Sequence, residues 1–310
     1  MERSSGQTVR TPSVSVVIAT YNRAALLGET IESVLKQTFQ DFELIVVDDG
    51  STDDTEQLLR SYGDRLRFFL QENRGPSAAR NVGVSFARAS WISIQDSDDI
   101  CAPNHLETLY RFVEKNPDVG MVFANGAYLD DPGPGGKTII SREKSKRLAE
   151  KGVQLADLFN RSIVRLQAAL LSKKALLAVG GLDENLRIAM DLDLALRFFM
   201  RVPVAYLDKV IFFYRRHSGN IGRNQELRLL ENLRVIEKLL HEFPSAAEIL
   251  GREKIDRRKA YRYYHLAKSR WKTGDTGGAK NALRQAVFLR PFFPKYRFYQ
   301  LLWGDFLNTS

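Results

Sequence analysis

Residues 14–20, VSVVIAT, and residues 42–47, FELIVV, are continuous apolar runs rich in β-branched side chains. Such runs are typical of strands that are buried on both faces of a parallel sheet. Further strand candidates are residues 66–71, 91–95 and 119–123, and segments with helical spacing separate them. This alternation predicts an α/β fold with a doubly wound, Rossmann-like sheet, in which ligands bind beyond the carboxyl ends of the strands.

Charge is distributed unevenly along the 310 residues. Residues 1–214 hold 26 basic and 28 acidic side chains, whereas residues 215–310 hold 20 basic and 9 acidic ones. The basic excess of the C-terminal third predicts two parts with different partners. Cys101 is the only cysteine, which excludes an internal disulfide and a multi-cysteine zinc site. Residues 1–13 predict a polar tail, and the absence of signal-peptide and membrane-span patterns favours a cytoplasmic protein.

The second half of the chain departs from the alternation. Residues 130–136, DDPGPGG, predict a loop because Pro and Gly interrupt both regular structures, and the charged residues 137–150 predict a mobile segment. A further strand run follows at residues 204–214. Residues 221–310 show helical spacing only and predict an all-helical appendage. Within it, residues 266–291 resemble one tetratricopeptide-type hairpin, which is expected to pack on neighbouring helices.

Three carboxylates, Asp96, Asp98 and Asp99, follow directly on the strand candidate at residues 91–95. Such a cluster repels itself unless a cation or a network of donors neutralises it. A hard divalent cation, Mn²⁺ or Mg²⁺, bound together with phosphate oxygens would do so. The alternative is an acidic cap on a helix that starts near Pro103. We favour the cap for Asp99 and a metal or ribose contact for Asp96 and Asp98.

Residues 48–52, DDGST, place acids at the end of a second strand candidate. A tight turn with a helix cap accounts for Gly50, Ser51 and Thr52. Asp48 is a different case, because a carboxylate at a strand tip can accept the imide N–H of a uracil base. This contact would favour a uridine nucleotide.

Six ordered segments resemble the inverting family-two glycosyltransferases of the GT-A fold. They are VSVVIATYNR from residue 14, DDGSTDDT from 48, GPSAARNVGV from 75, DSDD from 96, GGLDENLRIAMDLDLALRF from 180 and YRRHSG from 214. The resemblance covers residues 14–220, which we therefore predict to form a GT-A catalytic domain. It implies a metal-dependent transferase of the hexosyltransferase type that moves a sugar from a nucleotide-sugar donor, with UDP as the expected nucleotide, to a hydroxyl acceptor.

The resemblance also implies which residues bind the donor and the metal. Asp98 is implied as a metal ligand, and Asp96 is implied to hold the ribose. The complete set of implied donor-binding residues is Thr20, Tyr21, Asn22, Arg23, Asp48, Arg80, Asn81 and Asp96. A divalent ion and an arginine together suit a leaving diphosphate, which gains negative charge as the bond breaks.

An inverting transfer needs a base that removes the proton of the acceptor hydroxyl. The family carries this base in a Glu-Asp-x-Asp-like motif at a helix start, which matches Met190–Asp193 in this sequence. Asp191 is therefore the implied catalytic base, and Met190 replaces the usual Glu. For Asp193, a helix N-terminal charge is a competing interpretation. His217 is implied as a metal or phosphate ligand, although a lone histidine is also compatible with a structural role.

The basic C-terminal region has three interpretations. Its charges form a solvated face of packed helices, attract anionic lipid head groups, or bind nucleic acid. Residues 291–303, PFFPKYRFYQLLW, mix aromatic and basic side chains and favour peripheral association with the inner face of the membrane. Nucleic acid is not an expected partner, because the aromatic residues form no recognisable stacking module.

The expected partners are thus a nucleotide-sugar donor and a glycan or lipid-linked acceptor, as in cell-surface polysaccharide synthesis. Two alternatives compete with a glycosyltransferase: a nucleotidyltransferase on a similar sheet, and a helical-repeat interaction protein with a degenerate transferase domain. The presence of Asp191 after the GGLDE segment argues against a nucleotidyltransferase. The joint presence of Asp48, Arg80, Asp96, Asp98 and Asp191 argues against a degenerate domain. The sequence contains no Gly-x-x-x-x-Gly-Lys motif, which disfavours ATP hydrolysis.

Overall fold

The computed structural model describes residues 11–130, 136–160, 162–217, 219 and 224–303. The strands within these residues are β1 Val14–Thr20, β2 Phe42–Asp48, β3 Arg67–Leu70, β4 Trp91–Asp96, β5 Ile100–Cys101, β6 Met121–Tyr128, β7 Ala169–Ser172 and β8 Val204–Tyr214. The α-helices within them are α1 Ala24–Leu35, α2 Thr55–Ser61, α3 Pro76–Phe86, α4 His105–Lys115, α5 Arg142–Lys151, α6 Leu155–Asn160, α7 Lys173–Ala178, α8 Met190–Phe199, α9 Gln225–Glu242, α10 Ser245–Leu250, α11 Arg252–Lys272, α12 Thr276–Leu289 and α13 Pro294–Leu302.

The chain divides into two compact units. The first comprises the chain up to Gly152 with the segments Val164–Glu184 and Val202–Arg216, and the second comprises Val153–Ile163, Asn185–Arg201 and the chain from His217 onward. The first unit contains the strands named above with α1–α5 and α7, and the second contains α6 and α8–α13. The predicted boundary after residue 220 stays a prediction, because close packing does not establish which segments fold on their own.

The sheet of the first unit has the strand order β3-β2-β1-β4-β7-β6-β8-β5. The pairs within β3-β2-β1-β4 are parallel, as is β6-β8, whereas β7 runs antiparallel to both of its neighbours and β5 runs antiparallel to β8. This mixed sheet with flanking helices confirms the predicted GT-A type of α/β fold. β5 and β7 were not predicted, because runs of two and four residues are too short for a periodic pattern to reveal them.

Parallel pairing brings the polar ends of three strands to one edge of the sheet. Thr20 on β1 is in register with Asp48 on β2, and Ala19 is in register with Asp96 on β4. The apolar side chains that precede these ends are buried and fix the register. Gly83 allows α3 to lie close against the sheet, since a Cβ atom at this position would come within 2.3 Å of Val17 Cγ1.

The prediction of a mobile segment at residues 137–150 is wrong for most of its length. Residues Arg142–Lys151 form α5, in which Ser145 and Leu148 are buried. The Ser145 hydroxyl is hydrogen-bonded to the Tyr206 hydroxyl and donates to the Asp208 carboxylate, both on β8. Most charged side chains of this segment lie on the solvent-facing side of an amphipathic helix. Residues 131–135 of the predicted loop lie outside the described residues.

Within the described residues of the second unit, all regular secondary structure is helical, as predicted for the C-terminal region. α11 and α12 are joined by a tight turn in which Gly274 has a positive φ of 85°. The residues of the predicted repeat-like segment that are buried in this hairpin include Leu266, Ala267, Ala279, Leu283 and Ala286. Trp271 is partly exposed and stacks on Trp303, with 4.3 Å between ring centroids. Alanine and leucine side chains therefore form much of the core between α11 and α12, and the Trp271–Trp303 stack lies at the end of α11.

Candidate active site

Two interlocked turns form the part of the sheet edge above β1 and β2. The Asp48 carboxylate is buried and accepts hydrogen bonds from the backbone N–H of Ser51, at 3.0 Å, and from its hydroxyl. Asn22 has a positive φ of 50°, a conformation that asparagine tolerates better than most residues. Its N–H donates to Ser51 Oγ at 2.8 Å, and its side-chain oxygen accepts from Thr52 N at 2.8 Å. The two turns therefore hold each other in place.

Thr20, Tyr21 and Arg23 surround this pair of turns. The Thr20 hydroxyl is buried and has no hydrogen-bond partner among the described residues. Buried hydroxyls are nearly always paired, so this one is suited to a ligand at the edge. The Tyr21 ring is exposed, and Arg23 Nε lies 3.6 Å from the Asp98 carboxylate. These predicted donor-binding residues thus surround the strand ends, and their contacts with a donor stay predictions.

Asp49 supports the segment that leads into α3, a role that the sequence did not assign. Its Oδ1 accepts hydrogen bonds from Gln71 Nε2 at 2.7 Å and from Arg74 N at 2.9 Å, and its Oδ2 accepts from Gly75 N at 2.8 Å. Asp49 is buried, so these three donors replace its water. The available sequence signal was its position beside Asp48 at the strand end.

The predicted cation cluster is formed in the structure. Asp96, Asp98 and Asp99 each present a carboxylate oxygen, and these oxygens lie within 4.8 Å of one another. Asp96 accepts hydrogen bonds from the Arg80 guanidinium and from the side-chain amide of Gln167. Asp99 is buried and accepts from Arg215 N at 2.9 Å and from Gln167 Nε2 at 3.0 Å. Donors from three distant segments therefore offset part of the repulsion.

The carboxyl groups of Asp96 and Asp99 are nevertheless harder to ionise than usual. Burial raises the pKa of Asp96, and the charge of Asp98 adds to the rise while Arg80 opposes it. The pKa of Asp99 is raised well above its ordinary value by burial and by the charges of Asp96 and Asp98. A bound cation would relieve both effects, because it favours the ionised forms.

The predicted role of Asp99 as a helix cap is wrong. α4 begins at His105 with Asn104 before it, so Asp99 lies outside the first turn of that helix. Its carboxylate instead receives the backbone N–H of Arg215, which follows β8. Acidic residues are common just before helices, and for this reason the sequence suggested a cap. The backbone N–H that donates to Asp99 is instead 116 residues away in the chain.

Gln167 is the residue of this cluster that sequence reasoning missed. It belongs to the short 3₁₀ turn Leu166–Ala168 before β7, and a lone glutamine there carries no recognisable signal. Gln95 Nε2 donates to its backbone oxygen at 3.0 Å and lies 3.2 Å from His105 Nε2. His105 Nδ1 is 3.0 Å from the Ile211 carbonyl. A buried polar chain therefore connects the acidic cluster to the interior of the sheet.

Arg215 and Arg216, adjacent in sequence, have different roles. The Arg215 guanidinium donates to the Asp98 backbone oxygen at 2.9 Å and pairs with Glu29, so it braces the acidic turn. The half-exposed Arg216 pairs with Asp130 and lies over the Tyr128 ring, 4.5 Å from its centroid.

The predicted donor ligands Arg80 and Asn81 diverge on α3. Arg80 is buried beside Asp96, as described above. The Asn81 side chain exchanges two hydrogen bonds of 2.9 Å with the backbone of Leu182 and donates a third, of 3.0 Å, to Glu184. A Cβ atom on Gly181 would lie 2.9 Å from Asn81 Oδ1, so this contact requires glycine there. Asn81 holds residues 181–184 on the first unit, and its donor role stays a prediction.

Asp191 and His217 belong to the second unit. Asp191 lies in the first turn of α8. Asp193 is buried between Arg197 and Lys238, whose Nζ is 3.1 Å from its carboxylate, so its role is that of an ion-paired structural residue. His217 Nδ1 accepts a hydrogen bond of 3.2 Å from Gly219 N. The predicted base and metal roles of Asp191 and His217 stay predictions.

Cys101 packs as a small apolar residue. It is buried, and burial raises the pKa of its thiol to about 12. The thiol is therefore protonated at neutral pH and unsuited to nucleophilic attack.

Comparison with known sequences assigns the chain to a family. The model of Glycosyl transferase family 2 matches residues 15–178. Glycosyltransferase GlyG of Streptococcus pneumoniae is 32% identical over 223 residues, which cover 68% of this chain and 73% of GlyG. The uncharacterized glycosyltransferase MJ1057 of Methanocaldococcus jannaschii is 28% identical over 288 residues, or 91% of this chain and 86% of MJ1057. The chain belongs to glycosyltransferase family 2.

Solved structures share the fold. S. aureus TarS 1-349 in complex with UDP superposes with a TM-score of 0.64 at 21% identity, covering 90% of this chain and 81% of TarS 1-349. The mannosyltransferase PcManGT of Pyrobaculum calidifontis, in complex with GDP-Man and Mn²⁺, gives 0.61 at 19% identity, covering 96% of this chain and 85% of PcManGT.

The buried His105 makes a specific contribution to stability against pH. Burial lowers its pKa to about 4 from 6.5. Nδ1–H donates to the Ile211 carbonyl, so Nε2 accepts from Gln95, and a second ring proton would face a donor. Between these two pH values, about 4 and 6.5, the His105 ring is protonated in the unfolded chain but neutral in the folded chain. The free energy of unfolding therefore falls as pH drops from 6.5 to about 4. We expect this loss to approach about 3 kcal/mol.

Urea denaturation of His105→Gln and wild type at several pH values between 7 and 4 measures this contribution. The variant is expected to show a flatter pH dependence than wild type, whereas His241→Gln, which alters an exposed histidine, retains the wild-type slope. Equal slopes in His105→Gln and wild type would show that His105 is not the titrating group.

Proposed function

We propose that this protein transfers a sugar, with inversion, from a UDP-sugar to a hydroxyl group of a glycan or lipid-linked acceptor. The observation that carries the proposal is the convergence of Thr20, Asp48 and the acidic cluster at one edge of the sheet. Complexes of the structurally similar TarS with UDP and with UDP-GlcNAc support a uridine nucleotide, and family membership supports glycosyl transfer over nucleotidyl transfer or a purely structural role.

The residues at the edge suit the successive parts of a nucleotide. Asp48 is presented at the tip of β2 to accept the uracil imide N–H, and its bonds to Ser51 fix its orientation. The Thr20 hydroxyl and the exposed Tyr21 ring would contact the nucleoside. Arg80 holds the Asp96 carboxylate, which would contact the ribose. In the proposed set, Asn22 lies beside the nucleotide, Arg23 lies near its phosphates, and Asn81 supports the base or the diphosphate.

The acidic cluster fits a divalent cation, Mn²⁺ or Mg²⁺. Its carboxylate oxygens are of the type these ions prefer, they lie within 4.8 Å of one another, and burial together with mutual repulsion raises the pKa values of Asp96 and Asp99. Asp98 would be the principal ligand, with His217 as the proposed further one. When bound, the ion supplies charge stabilisation to the leaving diphosphate. The Mn²⁺ in the PcManGT complex supports this assignment.

Asp191 is the proposed general base. Its position in the first turn of α8 places a carboxylate on a rigid element. In the transfer, Asp191 accepts the proton of the acceptor hydroxyl while the oxygen attacks the anomeric carbon from the face opposite the diphosphate. The bond from that carbon to the diphosphate oxygen breaks, and its electron pair leaves with the nucleotide.

Metal-assisted nucleotide binding can be tested by thermal shift. UDP is expected to raise the melting temperature of the wild type more with Mn²⁺ than with a chelator, because the cation links the carboxylates to the diphosphate. Asp98→Asn should lose at least about tenfold in Mn²⁺-dependent UDP affinity, whereas Asp64→Asn, at an exposed position, should behave as wild type. An equal UDP shift with Mn²⁺ and with chelator would refute the metal role.

The role of Asp191 can be tested by turnover with a donor found in a screen of nucleotide sugars. Asp191→Asn is expected to lower kcat by about 10²–10⁴-fold, the usual contribution of a general base, while UDP affinity is unchanged. Asp256→Asn in the same unit provides a control that removes one carboxylate elsewhere. A folded Asp191→Asn protein with wild-type turnover would exclude Asp191 as the base.

The second unit supports peripheral association with an anionic membrane from the cytoplasmic side. Phe292 and Phe288 are 92% and 81% exposed, and Phe298, Leu301 and Leu302 form an exposed apolar strip on α13. Lys295 and Arg297 of the same helix are also exposed. Apolar side chains among cations fit the interface of an anionic bilayer. Among the described helices, none has the length and hydropathy needed to cross a membrane.

Vesicle co-sedimentation tests this association. The protein is expected to bind vesicles that contain phosphatidylglycerol and to dissociate at high salt, since exposed cations are screened. The double variant Phe292→Ser/Phe298→Ser should weaken binding severalfold, whereas Ile249→Ser, at an exposed apolar position on α10, should not. Equal binding to neutral phosphatidylcholine vesicles, or no effect of the double variant, would contradict the proposal.

A further inference from the structure

We propose that Glu231 is a positioning residue for catalysis, because it holds the start of the helix that carries Asp191. Its carboxylate accepts three backbone hydrogen bonds, from Arg187 N at 2.9 Å and from Ile188 N and Ala189 N at 2.8 Å each. Glu231 is only 3% exposed, so these three backbone donors replace the water that a surface carboxylate would bind. The inference rests on the proposed role of Asp191 as the base.

The three amides lie immediately before α8, where a helix leaves backbone donors unsatisfied. Ala189 is the N-cap residue and has no side chain that can accept a hydrogen bond. In a capping box, an acid at the third helical position bonds back to the N-cap amide, but this position is Leu192 in α8. Glu231 of α9 therefore supplies from another helix the acceptor that the local sequence lacks.

Glu231 belongs to a row of three charged residues on α9 that contact the segment around the start of α8. Arg234 donates to the Asn185 backbone oxygen at 3.3 Å, and Lys238 pairs with Asp193 at 3.1 Å. Positions 231, 234 and 238 are spaced by three and four residues, so they lie on one face of α9. The row thus contacts the chain before, at and after the start of α8.

This arrangement gives Glu231 a specific relation to Asp191. Residues 187–189 set the position and direction of the first turn of α8, and Asp191 is the second residue of that turn. Met190 occupies the position of the usual acidic residue before the base, so this position has no carboxylate that could accept a hydrogen bond. A small rotation of the first turn would misplace the base relative to the acceptor hydroxyl, and such misplacement is costly in rate.

The test is steady-state turnover of Glu231→Gln, which preserves shape but removes the charge and one of the two acceptor oxygens. We expect kcat to fall by about 10–100-fold, while the KM for the donor and the UDP-induced thermal shift stay as in wild type. Glu237→Gln is the matched control, since Glu237 lies on the same helix and pairs with Lys259 near the surface. It should retain wild-type kcat.

A double-mutant cycle separates positioning from general destabilisation. If Glu231 acts through Asp191, adding Glu231→Gln to Asp191→Asn should lower kcat per folded molecule by less than twofold, because the base is already lost. A full further reduction in the double variant, or wild-type kcat in Glu231→Gln, overturns the inference. If Glu231→Gln does not fold by circular dichroism, Glu231→Asp, which keeps the charge but shortens the side chain, is judged by the same criteria.

The two proposals fail in distinguishable ways. Wild-type turnover in Asp191→Asn refutes the base and with it the role of Glu231. Strong loss in Asp191→Asn combined with wild-type turnover in Glu231→Gln refutes only the positioning role.

Discussion

Repulsion among Asp96, Asp98 and Asp99 is the constraint on which the edge of the sheet depends. Carboxylate oxygens within 4.8 Å of one another are unfavourable in a partly buried turn unless donors or a cation offset their charge. Arg80 comes from α3 and Gln167 from the turn before β7. The backbone after β8 supplies a further donor. The acidic turn thereby fixes the relative positions of segments that are far apart in the chain.

The neighbouring turns and α9 also contain buried carboxylates whose charge is offset by hydrogen-bond donors. Asp48 and Asp49 both follow β2, yet one is bound within its own turn and the other holds the segment before α3. In the second unit, the Glu231 carboxylate accepts hydrogen bonds from three backbone N–H groups just before α8. In each case a buried carboxylate is satisfied by backbone N–H groups rather than by lysine or arginine alone. Backbone donors are fixed in direction, so such contacts position loops more rigidly than surface ion pairs do.

Much of the fold was predictable because its signals are local. The buried parallel strands β1, β2 and β4 are continuous β-branched runs, and their alternation with helical spacing indicates the α/β class. The antiparallel strand β7 and the two-residue β5 gave no such signal, since they form only where partner strands provide hydrogen bonds. The helical pattern of α5 was hidden by the high charge of its segment. Only two of its side chains, Ser145 and Leu148, are buried, which leaves little apolar periodicity in the sequence.

For the candidate site, the sequence by itself determined the acids at the strand ends, because a strand's end and the polar residues after it are adjacent in the chain. Only the tertiary structure decided what each acid does. Asp99 is bound by the backbone at Arg215 rather than by a helix start, and Gln167 and Glu231 became visible as partners only across 68 and 42–44 residues of chain. Periodicity and spacing report contacts between near neighbours, whereas these hydrogen bonds arise when the assembled sheet and the packed helices bring distant donors and acceptors together.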